Sequence, residues 1–354
     1  MQAGKNKQIP VLTGIRALAA YLVFLHHFFS SSHTESGFSS GNIFNFLHIG
    51  VSLFFVLSGF LIHHNYHAEF SSGLAGMRAF LLHRFARIMP LFLVLTVFTF
   101  LVLPFVEDRN SFEWLSLFVL NLSLLKGFLP DALFSGIPQA WSLTVEFCFY
   151  LLAPFLFYHL RNRAAWYLLA GLVLFTMAFL LNGFSDVLPN RDQFMLTYTF
   201  PGRCLEFFAG CILSILFSNG YRKSFSYPAF TLSGTVGIAL VPALLSNPAF
   251  SLPDWFGIMV LHLLLPIFIA VFFFGLLSEH SVIRSFFSTE ILQLLGRISF
   301  AFYLVHVGVV ERGLSAFVSE NILVLFLLLN GIAWLLYRFI ETPARHWILK
   351  RFSL

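Results

Sequence analysis

The sequence predicts an all-α, polytopic transmembrane helix bundle of about ten spans, with both termini cytoplasmic. Three observations predict it. Apolar residues make up 58% of the 354-residue chain and charged residues only 10%, against roughly 25% charged in an ordinary soluble domain. The mean hydropathy is +0.84. The apolar residues fall in runs of about 20, the length at which a helix crosses a bilayer core. The same composition excludes intrinsic disorder, which needs low hydrophobicity and high charge. It also excludes a disulfide scaffold: Cys148, Cys204 and Cys211 all lie inside apolar runs and lack metal-ligand spacing. A net charge of +5 calls for no nucleic acid, and in a membrane protein excess Lys and Arg mark cytoplasmic loops.

The first apolar run, 9–31, carries Arg16, His26 and His27 and has no small-residue cleavage pattern, so it reads as a span and not as a removable leader. The other spans are placed at 43–64, 86–106, 138–160, 164–182, 199–219, 227–246, 256–278, 292–317 and 321–341. The run at 112–127 is short and ends at Lys126 and Gly127. Charge arbitrates its fate. If it does not cross, Lys5, Lys7, Arg78, Arg84, Arg87, Arg161, Arg163, Arg222, Lys223, Arg284, Arg345, Lys350 and Arg351 all fall on one side. It is therefore read as an interfacial or re-entrant helix within an outer segment, 107–137. The loops leave no room for a soluble catalytic domain, so 1–354 is read as a single membrane domain. Any chemistry must lie among the helices or at their faces.

Ionisable groups inside spans are costly and are functional candidates by default; the plainer alternative is snorkelling or structural pairing. Arg16 and His27 lie eleven residues apart in the first span, on nearly the same face and roughly 16 Å from one another. Glu146 follows Trp141-Ser142-Leu143-Thr144-Val145, and Ser142 sits one turn before it on the same face. Tyr303 and His306 share a mid-span face, with Arg297 nearer the inner end. Arg84 and Arg87 share a face at the cytoplasmic edge. From spacing alone they are ordinary inside-positive anchors, though guanidinium forks also suit phosphate. Arg203 and Glu206, at i and i+3, read as a structural pair. His63 and His67, at i and i+4, could in principle hold a metal, but they lie at a helix end beside a basic loop with Glu69, and no metal site is assigned. The candidates thus sort into a cationic inner layer, Arg84, Arg87, Arg297 and the deeper Arg16, and a mixed outer layer, His27, Glu146, Arg203, Glu206 and His306.

At these residues the chain resembles the acyltransferase 3 family of integral membrane acyltransferases. Thr13-Gly14-Ile15-Arg16-Ala17-Leu18-Ala19-Ala20 followed by Leu25-His26-His27 is similar to the family's opening segment with its Arg-x10-His spacing. Gly50 to Ile62 is similar to its second signature. Arg84-Phe85-Ala86-Arg87 resembles its Arg-x-x-Arg motif, and Trp141-Ser142-Leu143-Thr144-Val145-Glu146 its Trp-Ser-Leu-x-x-Glu segment. Gly296-Arg297-Ile298-Ser299, Tyr303 to His306 and Glu341-Thr342-Pro343 also fit, in the family's order. The departures are Thr13 where an Asp is common, Ser52 where an acid is common, and Phe147 where a second carboxylate is common. The chain ends at Leu354, so it resembles the stand-alone form without a C-terminal esterase-like domain.

The resemblance implies an O-acyltransferase that moves an acyl group, acetyl in the first instance, from cytosolic acyl-CoA to a hydroxyl of a surface polysaccharide or lipid-linked glycan. Acyl-CoA is then a donor substrate, with no permanently bound cofactor and no metal. His27 would be general base or acyl carrier, Glu146 would orient it, and Arg16 would steady the thioester or the oxyanion. Arg84, Arg87 and Arg297 would hold the CoA phosphates; Trp141, Ser142, Tyr303 and His306 would contact substrate. The implied partners are the sugar acceptor and the lipid bilayer, and the implied location is a bacterial cytoplasmic membrane. The alternative reading is a transporter or flippase for a glycan or small anion, using the same charges as a path. No inverted repeat is evident to favour it.

Overall fold

The computed structural model describes residues 9–30, 43–67, 70, 74–105, 107, 110–160, 162–183, 193–218, 227–245 and 254–352. The charges at Lys5, Lys7, Glu69, Arg161, Arg222 and Lys223 lie outside them. The helices in chain order are α1 (Pro10–Phe29), α2 (Ile49–Tyr66), α3 (Leu74–Val102), α4 (Ser111–Leu122), α5 (Trp141–Leu160), α6 (Ala164–Gly183), α7 (Phe194–Thr197), α8 (Phe200–Ser218), α9 (Ala229–Leu245), α10 (Asp254–Ser278), α11 (Val282–Phe287), α12 (Glu290–Val305), α13 (Val309–Phe317), α14 (Ile322–Leu336) and α15 (Thr342–Phe352). The fold is all-α and polytopic. Large apolar side chains such as Leu151, Phe155, Val173, Ile267 and Leu327 are exposed on these helices. Water would penalise such faces and lipid does not.

The expected spans fall on helical segments, but these are not equivalent. Among the described residues, eight helices are long and apolar enough to cross a membrane, and one further pair qualifies if taken together. That pair is α12 and α13. The sequence predicts one continuous span over 292–317, whereas the chain bends by 84° between Val305 and Val309. Gly308 makes the bend with φ of +104°, a conformation that costs glycine no Cβ clash. The backbone freed by the break is not left bare. Gln139 donates from Nε2 to the carbonyls of Tyr303 (2.8 Å) and Val307 (3.3 Å), as irregular backbone at membrane depth requires. The expected span at 227–246 is the 17-residue α9.

The run at 112–127 forms a 12-residue helix, α4, roughly 18 Å long and well short of a ~30 Å core. Asn110 starts it by accepting from the Glu113 amide at 2.9 Å. At the far end of the chain, α14 passes into α15 through a five-residue π-helical turn, Tyr337–Glu341. Pro343 lacks the N–H that would close an α-helical bond to Phe339, which accounts for a wider turn there.

Contacts group the chain into two compact units. The first comprises 1–68, 156–179 and 201–297; the second comprises 69–155, 180–200 and 298–354. In the first, α2 and α8 cross at van der Waals contact. A side chain at Gly59 would strike the Phe207 carbonyl, and one at Gly210 would strike the Val56 carbonyl. Only glycine permits that approach, and it sets Ser52 on α2 opposite Arg203 on α8.

Candidate functional site

In the first unit the two adjacent histidines of α1 differ sharply. His26 is buried, and its Nδ1 donates to the Phe44 carbonyl at 3.0 Å. This bond fixes the tautomer and ties the 3-10 turn Ile43–Phe46 to the last turn of α1. His27, next in sequence, is exposed. Its ring centroid lies 5.3 Å from that of His26. Arg16 is half-buried on the same helix, with its Nε shielded from solvent. Arg297 is half-buried in the middle of α12. The preceding Gly296 lies against the Thr13 carbonyl, so Arg297 and Arg16 both lie within a turn of this contact.

The same unit holds a buried polar cluster. Arg203 Nε donates to Glu206 Oε2 at 2.9 Å, with both side chains 1% exposed. Arg203 Nη2 donates to Ser52 Oγ at 3.1 Å, and the guanidinium sits over the Phe55 ring. The spacing read as a structural pair is therefore a pair. It also explains Ser52, the residue that replaces a common acid: Glu206 already neutralises Arg203, and a hydroxyl suffices as the second acceptor. His262 approaches Glu206 Oε1 at 3.7 Å. His48 donates from Nδ1 to the Asn45 carbonyl at 2.8 Å, packs edge-on to His26 and lies within electrostatic reach of Arg203 and His262. Sequence reasoning passed over His48 and His262, although a lone His in the apolar α10 is the signal it treats as functional elsewhere.

In the second unit, Tyr150 donates its hydroxyl to Glu146, one turn along α5. The Arg84 guanidinium lies 5.7 Å from the Tyr150 ring centroid and 5.6 Å from that of Phe80, and Arg87 is within electrostatic reach of the same tyrosine. The division into inner arginines and an outer Glu146 does not hold here: Tyr150 joins Arg84 to Glu146 directly. Ser142 does not point at Glu146 either. Its hydroxyl donates to the Gln139 carbonyl (3.0 Å) and meets the Tyr303 hydroxyl at 2.9 Å. Trp141 is buried edge-on to Tyr198. His306 is fully buried, donates from Nδ1 to the Tyr303 carbonyl (2.8 Å) and stacks on Phe302. Ser142, Tyr303 and His306 thus share one buried polar framework with Gln139, whereas Trp141 packs on Tyr198. Gln139 and Tyr150 carried no sequence signal, because each is an ordinary polar residue at a span's end or middle.

His63 bonds Ser214 Oγ through Nδ1 at 3.0 Å and stacks on His67. Among the described residues, no group of three or more His, Cys, Asp or Glu is placed to hold a metal ion.

Against known proteins, the model of a family described as an acyltransferase domain matches residues 9–338. The chain is 28% identical over 331 residues to the acyltransferase MdmB of Streptomyces mycarofaciens, covering 86% of this chain and 80% of that protein. It is 26% identical over 367 residues to the peptidoglycan O-acetyltransferase OatA of Listeria monocytogenes, covering 96% of this chain and 56% of that protein. No solved structure matches.

Proposed function

This chain belongs to the acyltransferase 3 family of membrane acyltransferases, and we propose that it transfers an acyl group, acetyl in the first instance, from cytosolic acyl-CoA to a hydroxyl of a surface glycan. The observation that carries the reading is the placement of Arg16 and His27 eleven residues apart on one helix, in the family's opening segment. An O-acetyltransferase of a cell-wall glycan among the relatives supports the acceptor class.

In this reaction His27 takes the proton of the acceptor hydroxyl as its oxygen attacks the thioester carbonyl. The C–S bond breaks, an ester forms, and the proton passes from His27 to the departing thiolate, giving free CoA. Arg16, about three turns away on the same helix, holds the thioester arm of the donor. Glu146 is the carboxylate assigned to the same reaction, with Tyr150 holding it in place. Arg84, Arg87 and Arg297 bind the CoA phosphates through charge-assisted hydrogen bonds. Trp141, Ser142, Tyr303 and His306 shape the acceptor side. The setting is a bacterial cytoplasmic membrane, with both termini and the basic loops on the donor side.

The test is acceptor-dependent release of free CoA from acetyl-CoA by the purified chain, with His27→Ala alongside. Thiol release that needs both the glycan and His27 supports the reading. Equal turnover in the variant removes His27 from the chemistry.

A further inference from the structure

The segment between α3 and α5 builds a cavity of about 280 Å³ within the second unit, near the lower limit of the roughly 300–1,000 Å³ usual for ligand pockets. Its walls combine aromatic rings with opposed charges. Phe100, Trp114 and Phe134 contribute the rings; Glu107, Asp131 and Arg312 contribute the charges. We propose that this cavity binds a single neutral sugar ring of the acceptor. The inference rests on the acyl-transfer reading and names the subsite and substrate chemistry within it.

The wall is held in shape before any ligand arrives. Lys126 is fully buried and donates from Nζ to the carbonyls of Ser135 (2.7 Å) and Ile137 (2.6 Å). Asn121 donates from Nδ2 to Ser135 Oγ at 2.9 Å. Thr144 donates to the Leu124 carbonyl at 2.7 Å. Gly136 lines the cavity with φ of +65°, and a Cβ there would strike Asn121 and Phe100. Such preorganisation is what lowers the entropic cost of binding.

The chemistry of the lining selects the ligand. An aromatic face is electron-rich and accepts the polarised C–H face of a pyranose. Carboxylates only accept and guanidinium only donates, so Asp131 and Arg312 together match a ring of hydroxyls, each both donor and acceptor. Two carboxylates against one guanidinium leave the cavity net negative, which disfavours a uronate. The volume suits one ring. Pro138 and Gly308 also line the cavity. They adjoin Gln139 and Val307, which are hydrogen-bonded to each other, so the cavity borders the framework that carries Ser142 and Tyr303.

The experiment uses the purified full chain in detergent, without acyl-CoA, and follows saturation-transfer NMR of methyl β-glucoside, methyl N-acetyl-β-glucosaminide and methyl β-glucuronide. A neutral glycoside is expected to saturate and the glucuronide to bind more weakly. Trp114→Leu and Asp131→Asn are each expected to weaken the neutral glycoside roughly ten-fold or more, with melting temperatures retained. Unchanged affinity in both folded variants overturns the proposal, as does the absence of saturable binding by any neutral glycoside. In turnover assays the same variants should raise KM for the glycan. Wild-type KM in both, with transfer intact, removes the cavity and leaves the acyl-transfer reading standing. Glycoside binding that depends on Trp114 and Asp131, with no transfer to any glycan, keeps the cavity as a sugar site and removes acyl transfer.

Discussion

The Tyr150 hydroxyl donates to Glu146 while the Arg84 guanidinium lies over the Tyr150 ring. A carboxylate and an arginine that the sequence sorts into an outer and an inner layer are thereby coupled through one aromatic side chain. Tyr150→Phe keeps the ring and the cation–π contact but removes the bond to Glu146. We expect kcat to fall by about ten-fold, the worth of one hydrogen bond to a charged group, with KM for acyl-CoA little changed. Arg84→Ala should chiefly raise that KM. Steady-state kinetics on the two variants separates the effects.

His26 and His27 should fail in different ways. His27→Ala is expected to lose 10²–10⁴-fold in turnover, roughly the contribution of a general base, with its melting temperature kept because the side chain is exposed. His26→Ala strands the part-buried Phe44 carbonyl and should cost about 1–3 kcal/mol of stability. Thermal melts paired with activity on both proteins check this.

The Arg203–Glu206 pair predicts a strong asymmetry. Removing one partner leaves a buried charge without its counter-ion. Glu206→Gln or Arg203→Met alone should therefore destabilise by about 3–5 kcal/mol. The double variant Arg203→Met/Glu206→Leu should recover much of that loss. A double-mutant cycle on denaturation midpoints measures the coupling.

Lys126 gives the fold a pH dependence. Burial lowers its pKa to about 7, whereas an unfolded lysine titrates at about 10.4. Between these values the unfolded chain holds one proton more than the native chain, so stability rises with pH, by up to about 1.4 kcal/mol per pH unit. Below pH 7 both states are protonated and the slope vanishes. The native amine is neutral above pH 7, and its two N–H groups match the two carbonyls it meets. Melting temperature should climb from pH 7 to pH 9 in the wild type, and Lys126→Met should lack that climb.

Glu279 is fully buried where α10 ends, and it accepts from the Phe230 and Thr231 amides and the Thr231 hydroxyl. It caps α9 from another helix, where the N-terminal dipole favours an anion. Glu279→Ala should destabilise by roughly 1–3 kcal/mol, read as a lower melting temperature.

The fold class was legible because lipid as solvent leaves a simple mark: runs of about 20 apolar residues separated by basic loops. What escaped was the break at Gly308. An apolar run looks alike whether its helix is straight or bent, and only the partner that rescues the freed carbonyls, Gln139, reveals the bend. Arg203 and Glu206 were legible as a pair because i and i+3 is a local relationship. Their link to Ser52 and His262 was not, since it depends on helices far apart in sequence. Glu146 was legible as a costly carboxylate; Tyr150 is its local i+4 neighbour on α5, whereas Arg84 comes from α3 and its place over the Tyr150 ring leaves no mark in the sequence. The adjacent His26 and His27 could not be told apart by type. Their difference follows from the direction each takes on α1 and from the carbonyl that Phe44 offers to one of them.

The most direct test of the central claim uses sealed proteoliposomes that enclose the glycan, with isotopically labelled acetyl-CoA added outside to chains oriented with their basic loops outward. Acyl transfer by this chain leaves labelled ester on the enclosed glycan and free CoA outside, both lost in His27→Ala. Glycan that leaves the vesicles unmodified, with acetyl-CoA intact, would contradict it and identify a transporter.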